Sequence, residues 1–142
     1  MAESTQHLQL LRRIIEYVQL AYGEFYSLSV LHDLPTRVGG EKPPRVGGFS
    51  PDVYATDVPV TTTIIGEAKT AQDLETAHSR KQLTAFIAYL NSQPNGVLVV
   101  SVPWQSVGAA QRMLKQLVTK AGERKSTTHI IIIGETGEHK VQ

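Results

Sequence analysis

The sequence predicts an α/β fold in which helices pack on one mixed β-sheet. Two apolar runs, 97–102 and 129–133, are typical of strands buried on both faces, and a helical segment over 107–121 separates them. A strand, a helix and a second strand in this order predict a right-handed crossover between parallel strands. Apolar residues at helical spacing over 5–22 and β-branched residues over 61–70 add a helix and an earlier strand.

Residues 5–70 supply one helix and three strands. Leucine, isoleucine and valine at steps of three and four predict an amphipathic helix over 5–22, with Gly23 as its stop. Strand-forming residues predict a strand over 25–32, and two further strands, 52–57 and 61–70, form a hairpin. These early strands are expected to be antiparallel.

The remaining elements complete the order α-β-β-β-α-β-α-β. Apolar residues at helical spacing predict a helix over 74–90, which is followed by a turn and the strand 97–102. The helix 107–121 and the strand 129–133 come next, and the polar tail from Glu135 is expected to be loose. We expect the 142 residues to form a single domain.

A segment rich in proline and glycine, residues 33–50, interrupts the predicted elements. It contains three prolines and four glycines, and Arg-Val-Gly-Gly occurs in it twice, at 37–40 and 45–48. This density of proline and glycine is incompatible with a regular helix or strand. We expect a long flexible loop, and loops of this length are often functional or disordered.

Composition excludes several classes of protein. No cysteine is present, so structural disulfides, thiolate metal sites and a cysteine nucleophile are excluded. The net charge of +1 neither requires nor excludes nucleic acid, whose binding would need a local basic patch. No apolar run approaches the roughly 20 residues that span a bilayer, and the polar start lacks a signal-peptide pattern. We expect a cytoplasmic protein with no membrane partner. The sequence also lacks a P-loop, a His-Glu-x-x-His zinc motif and a Gly-x-Ser-x-Gly motif.

An acid and an amine occur on one face of the predicted strand 61–70. Side chains alternate along a strand, so Glu67 and Lys69 share a face with Ile65. The hairpin can bring Asp52 beside Glu67, and two close carboxylates repel unless a cation lies between them. A divalent cation such as Mg²⁺ suits two carboxylates, a backbone carbonyl and several waters. Lys69 would then orient a water nucleophile or help to remove its proton.

The sequence Pro51-Asp52, followed by Glu67-Ala68-Lys69, resembles the PD-(D/E)xK nuclease superfamily. The virus-type replication-repair nucleases and the Holliday-junction resolvases are the most similar branches. The restriction-endonuclease-like core of this superfamily has the order α-β-β-β-α-β, which matches the elements predicted over 5–102. An added C-terminal helix and strand would complete the sheet of this chain.

The resemblance implies a role for each residue of the motif. Asp52 and Glu67 would bind Mg²⁺ or Mn²⁺ together with the backbone carbonyl of Ala68. Lys69 would act on the water nucleophile. Several branches carry a glutamine on the helix after this strand, and Gln82 matches that position.

Further residues are candidates for supporting the site or for binding nucleic acid. In some branches of the superfamily an acid from the first helix joins the centre, and Glu16 is the candidate here. Trp104 could stack on a base, although a packing role is the favoured interpretation. Candidates for contact with DNA, which could also be ordinary solvated or disordered surface, are Arg37, Lys42 and Arg45 on the loop and His78, Arg80 and Lys81 on the helix 74–90.

The function expected from these residues is that of a Mg²⁺- or Mn²⁺-dependent DNA endonuclease in repair, recombination or defence. It would hydrolyse phosphodiester bonds and could work as a homodimer, because two strands need two sites. The alternative is a non-catalytic module that binds nucleic acid or protein and retains the nuclease fold. The near-neutral charge favours this alternative, whereas two acids kept beside an amine favour the enzyme.

Overall fold

The structure of the protein is a computed structural model that describes residues 4–23, 28–35, 42–58, 61–120 and 127–142. The helices within these ranges are α1 (Thr5–Tyr22), α2 (Ala71–Leu74), α3 (Ala77–Asn91) and α4 (Val107–Lys120). The strands are β1 (Ser29–His32), β2 (Val53–Thr56), β3 (Thr63–Ala68), β4 (Gly96–Ser101), β5 (His129–Gly134) and β6 (Gly137–Lys140).

The strands form one mixed sheet whose spatial order, from β1 to β6, follows the chain. Strands β3, β4 and β5 are parallel, whereas β1, β2 and β3 pair antiparallel and β6 pairs antiparallel with β5. The predicted fold class is confirmed: an α-β-β-β-α-β core is extended by the helix α4 and the strands β5 and β6. Parallel strands bring their carboxyl ends to one edge of the sheet. At this edge the backbone N–H of Lys69 donates to the carbonyl of Ser101 at 3.0 Å.

Helices cover both faces of the sheet, because side chains alternate along each strand. On one face α1 packs Leu11 into a cluster with Ile64. On the other face Phe86 of α3 and Leu114 of α4 belong to a cluster that includes Ile65. All six residues of β3 are consequently buried. None of the described helices combines the length and the apolar character that crossing a membrane requires.

The helix predicted over 74–90 is divided in the structure. The short helix α2 ends at Leu74, and α3 begins at Ala77. The division occurs because the side chain of Thr76 accepts a hydrogen bond from the backbone N–H of Ser79 at 3.1 Å, which starts a new helix. The beginning of the predicted first strand, residues 25–27, and the end of the predicted last helix, Ala121, lie outside the described residues.

The polar tail forms β6, so the prediction of a loose tail is wrong. This strand pairs with β5, and main-chain hydrogen bonds of this kind do not need apolar side chains. Gly137 allows the turn between the two strands with a φ of 136°. Tyr17 of α1 then donates a hydrogen bond to the carboxylate of Glu138 at 2.7 Å, which ties the strand to the helix.

The turn 46–49 of the segment 33–50 packs on α3. Val46 and Phe49 exchange backbone hydrogen bonds of 2.7 and 3.0 Å across a tight turn. Gly47 has a φ of 59°, and a Cβ there would lie 2.8 Å from the Cβ of Ala85. Val46 is buried in the cluster formed with α3 and α4. Residues 36–41 of the segment, with the first Arg-Val-Gly-Gly, lie outside the described residues.

The close approach of α1 to β3 predicts that Gly66→Ala destabilises the protein. A Cβ at Gly66 would lie 2.4 Å from Cγ2 of Ile14 and 3.1 Å from Cβ of Val53. We expect the free energy of unfolding in urea to fall by about 1–3 kcal/mol, the usual cost of overpacking a core. The matched control is Gly108→Ala in α4, where only a flexible arginine is near and helix propensity favours alanine by at most about 1 kcal/mol. Equal stability of the Gly66→Ala variant and the wild type would contradict the close approach.

Candidate metal centre

The start of β2 and the end of β3 bring two carboxylates together. Val53 pairs with Gly66, so the preceding Asp52 lies beside Glu67. The backbone N–H of Asp52 donates to Oε2 of Glu67 at 3.2 Å, and the backbone N–H of Ala68 donates to Oδ2 of Asp52 at 2.9 Å. Each carboxylate is therefore held by the backbone of the other strand, which fixes both at the same edge of the sheet.

Lys69 and Gln82 complete a hydrogen-bonded group around Glu67. Nζ of Lys69 donates to Oε1 of Gln82 at 2.5 Å, and Nε2 of Gln82 donates to Oε1 of Glu67 at 3.2 Å. The same Oε1 lies 3.6 Å from Nζ of Lys69. The three side chains are buried. Strand alternation correctly places Glu67 and Lys69 on the face that α3 covers, and α3 supplies Gln82.

Burial raises the pKa of Glu67 well above its ordinary value, and the negative charge of Asp52 raises it further. The ammonium of Lys69 and the backbone hydrogen bond from Asp52 offset only part of this increase. The single ammonium of Lys69 thus does not compensate for both carboxylates. A cation placed between the two carboxylates would favour ionised Glu67 and would remove the repulsion.

His7 is a member of this group that the sequence-based reasoning missed. Its Nε2 lies 3.6 Å from Oδ1 of Asp52, and both side chains are largely buried. The first turn of α1 positions it, because the Oγ of Ser4 caps the helix by accepting the N–H of His7 at 3.1 Å. A search for helical periodicity that included polar residues would have identified His7, because His7, Leu11 and Ile14 are spaced to share one face of a helix.

The structure places Glu16 away from the two carboxylates. It is exposed and lines a different pocket with Arg13 and Glu135, beside the turn between β5 and β6. It lies nine residues beyond His7, which corresponds to about 13 Å along the axis of α1. We therefore leave Glu16 out of the proposed centre, in which α1 contributes His7 instead.

The structure describes two of the three loop cations that are predicted to contact DNA. Lys42 is exposed. Arg45 is exposed and donates to the carbonyl of Gly48 at 2.7 Å, so its guanidinium closes the tight turn. Arg37 lies outside the described residues.

The three candidates on α3 point to the surface in different surroundings. His78 is exposed, with its ring edge-on to that of Phe49 at a centroid distance of 5.5 Å. Arg80 is half-buried and donates to Oε1 of Gln116 on α4 at 3.3 Å. Lys81 is exposed. Arg80 and Lys81 line one shallow groove between α3 and α4.

The chemistry of the donors fits a divalent cation with oxygen ligands. In the parts of the chain that the structure describes, no group of three histidine, aspartate or glutamate residues forms a preassembled metal site. Mg²⁺ does not require one, because it is often bound by one or two carboxylates and keeps several waters. Asp52 and Glu67 meet that requirement, and the repulsion between them gives a physical reason for a cation at this position.

Comparison with known proteins shows a likeness of fold. No protein-family profile and no curated protein match this sequence. Among solved structures, SfsA of Pyrococcus furiosus, in complex with Ca²⁺, matches with a TM-score of 0.50 and 13% sequence identity. The match covers 92% of this chain and 60% of the SfsA chain. This likeness is one of fold alone, and it agrees with the observed mixed sheet flanked by helices.

The raised pKa of Glu67 predicts a pH dependence of stability when divalent metal is removed. An unfolded glutamate ionises near pH 4.5, whereas folded Glu67 ionises at a higher pH. Stability of the wild type should therefore fall as the pH rises above 4.5 and level off above the folded pKa. We expect Glu67→Gln to gain stability relative to the wild type across this range, as measured by urea unfolding in EDTA. A difference that is constant with pH would contradict the raised pKa.

Proposed function

We propose that the protein is a Mg²⁺- or Mn²⁺-dependent DNA endonuclease that hydrolyses phosphodiester bonds in repair, recombination or defence. The observation that carries this proposal is the position of the buried Glu67. It lies beside a second carboxylate, that of Asp52, and 3.6 Å from the ammonium of Lys69. An acid pair with an amine at the edge of a sheet provides the groups that a metal-dependent phosphodiesterase needs.

Each side chain has a defined part in this proposal. The carboxylates of Asp52 and Glu67 and the carbonyl of Ala68 would hold the cation, which lowers the pKa of a water and shields charge on the phosphate. Lys69 donates hydrogen bonds to the attacking water or to the charged phosphate. As the water oxygen bonds to phosphorus, the water loses its proton to solvent. The bond between phosphorus and the departing sugar oxygen breaks, and that oxygen takes up a proton from solvent. Gln82 positions Lys69 and Glu67, because it hydrogen-bonds both.

Two further observations support the choice of cation. SfsA, which is similar in fold, was solved with Ca²⁺, and this supports a divalent cation as the class of ligand. The imidazole of His7 lies next to Asp52, and Mn²⁺ accepts nitrogen ligands more readily than Mg²⁺ does. We therefore propose that Mn²⁺ supports activity at least as well as Mg²⁺.

DNA would be bound by cations around the centre. Arg80 and Lys81 lie on α3 immediately before Gln82, and Lys42 and Arg45 precede Asp52 in the chain. We propose that these residues, with Arg37 and His78, contact the phosphate backbone. A homodimer would supply the two centres that cutting a duplex requires.

The proposal predicts that three conservative substitutions abolish cleavage. Asp52→Asn, Glu67→Gln and Lys69→Met each remove a charge from the centre, and we expect cleavage rates at least about 100-fold lower. The measurement is cleavage of single-stranded, duplex and branched DNA with Mg²⁺, Mn²⁺ or EDTA. The matched control is Glu16→Gln, an exposed acid in another pocket, which should cut as the wild type does.

Two results would overturn the nuclease proposal. One is a wild-type protein that cuts none of these substrates with either metal, which would favour the non-catalytic module with a nuclease fold. The other is a Lys69→Met variant that cuts at the wild-type rate, because contaminating nuclease would then explain the cleavage. Circular dichroism of each variant establishes that it is folded.

A further inference from the structure

Trp104 is exposed beside the carboxyl end of β4, contrary to the packing role favoured from the sequence. It retains 63% of its exposure, although Pro103 before it and Ser106 after it are buried. It lies in a short 3-10 turn, three residues beyond Ser101. A three-residue segment spans at most about 10 Å, and the carbonyl of Ser101 accepts the N–H of Lys69. Trp104 therefore follows directly from the strand end that lies next to Lys69.

The residue after Trp104 is Gln105, which lines a polar groove. The groove is also lined by Thr70 and Gln72 after β3 and by Gln6 and His7 of α1, and its volume is about 780 Å³. This is enough space for a nucleotide, since pockets for small ligands range from about 300 to 1,000 Å³. The groove adjoins the candidate metal centre, because His7 both lines it and lies 3.6 Å from Asp52.

The chemistry of the groove fits the bases of a nucleic acid better than its phosphates. Among the described residues that line it there is no lysine or arginine, whereas a phosphate subsite would draw on such cations. Its glutamine side chains, Gln6, Gln72 and Gln105, can each donate and accept hydrogen bonds, as base edges do. The carboxylate of Asp73, which also lines the groove, accepts a hydrogen bond from Thr70 at 2.9 Å and disfavours a phosphate there.

An exposed indole next to such a groove is suited to stacking. Every base has a face that can stack on an aromatic ring, but that face is accessible only when the base is unpaired. In a continuous duplex the bases are stacked on one another, so their faces are not accessible to the indole.

We propose that Trp104 and the groove of Gln6, Gln72 and Gln105 form a subsite for an unpaired nucleotide next to the phosphate that is cut. The base stacks on the indole, and the glutamines bind its edge. The position relative to the cut rests on the proposed nuclease function, whereas binding of the unpaired base does not. The substrate class is then single-stranded nucleic acid, or a junction or end that exposes unpaired bases.

Trp104 is the only tryptophan of the chain, so its fluorescence reports on the subsite directly. The probes are a 12-nucleotide single-stranded DNA, the RNA of the same sequence and a blunt 12-base-pair duplex, each titrated in EDTA to prevent metal-dependent cleavage. We expect saturable quenching by the single strands and weaker binding of the duplex. RNA binding as tight as DNA binding would assign the subsite to unpaired bases of either kind.

Variants separate stacking from nonspecific attraction. Trp104→Leu should weaken single-strand binding, measured by anisotropy of a labelled strand, by about 5- to 150-fold, the range typical of lost stacking. Trp104→Phe, which keeps an aromatic face, should restore most of the affinity. The matched control is Leu20→Ala, another exposed apolar side chain, which should bind as the wild type does. Equal affinity of Trp104→Leu and wild type would overturn the subsite.

Other outcomes distinguish this proposal from that of the nuclease. Quenching without any cleavage in Mg²⁺ or Mn²⁺ would support the subsite while the nuclease proposal fails. Cleavage in which Trp104→Leu cuts single strands and duplexes in the wild-type ratio would retain the nuclease and overturn the subsite. A change of Trp104 fluorescence on dilution of the protein alone, with no response to nucleic acid, would assign the indole to an interface between copies and overturn it too.

Discussion

Two carboxylates, those of Asp52 and Glu67, are held next to each other at the edge of the sheet by hydrogen bonds from the backbone. Burial and mutual repulsion make this arrangement unfavourable when both are ionised, and the pKa of Glu67 is raised as a result. Lys69 and Gln82 offset part of this unfavourable energy, because Lys69 hydrogen-bonds Gln82 and Gln82 hydrogen-bonds Glu67. A divalent cation would complete that compensation, so the same geometry that costs stability in the free protein would provide affinity for a metal.

The rest of the fold serves to keep this edge fixed. The strand that carries Glu67 is buried on both faces, and at Gly66 the helix α1 approaches so closely that a Cβ would meet Ile14. That approach also brings the first turn of α1, and with it His7, to Asp52. On the other face α3 supplies Gln82. The elements that position the centre are thus the strands β2 and β3 and one helix from each side of the sheet, α1 and α3.

Much of this arrangement follows from local patterns in the sequence. Strand alternation alone puts Glu67 and Lys69 on one face, and a hairpin places Asp52 beside them. The role of Gln82 could be predicted only from the family resemblance, because a single glutamine within a helix forms no distinctive pattern. The strand β6 was missed because its polar residues lack strand character, and its pairing depends on the free edge of β5. His7 and the exposure of Trp104 were missed for a related reason: both depend on contacts between distant segments, which periodicity does not encode.

The central claim is that the carboxylates of Asp52 and Glu67 jointly bind a divalent cation. Its most direct test is a crystal of the protein grown with Mn²⁺ and measured at the manganese absorption edge. The account predicts an anomalous peak about 2.0–2.2 Å, a usual length for metal–oxygen bonds, from one oxygen of each carboxylate. A well-ordered centre without such a peak at saturating Mn²⁺, or a peak elsewhere on the protein alone, would contradict it.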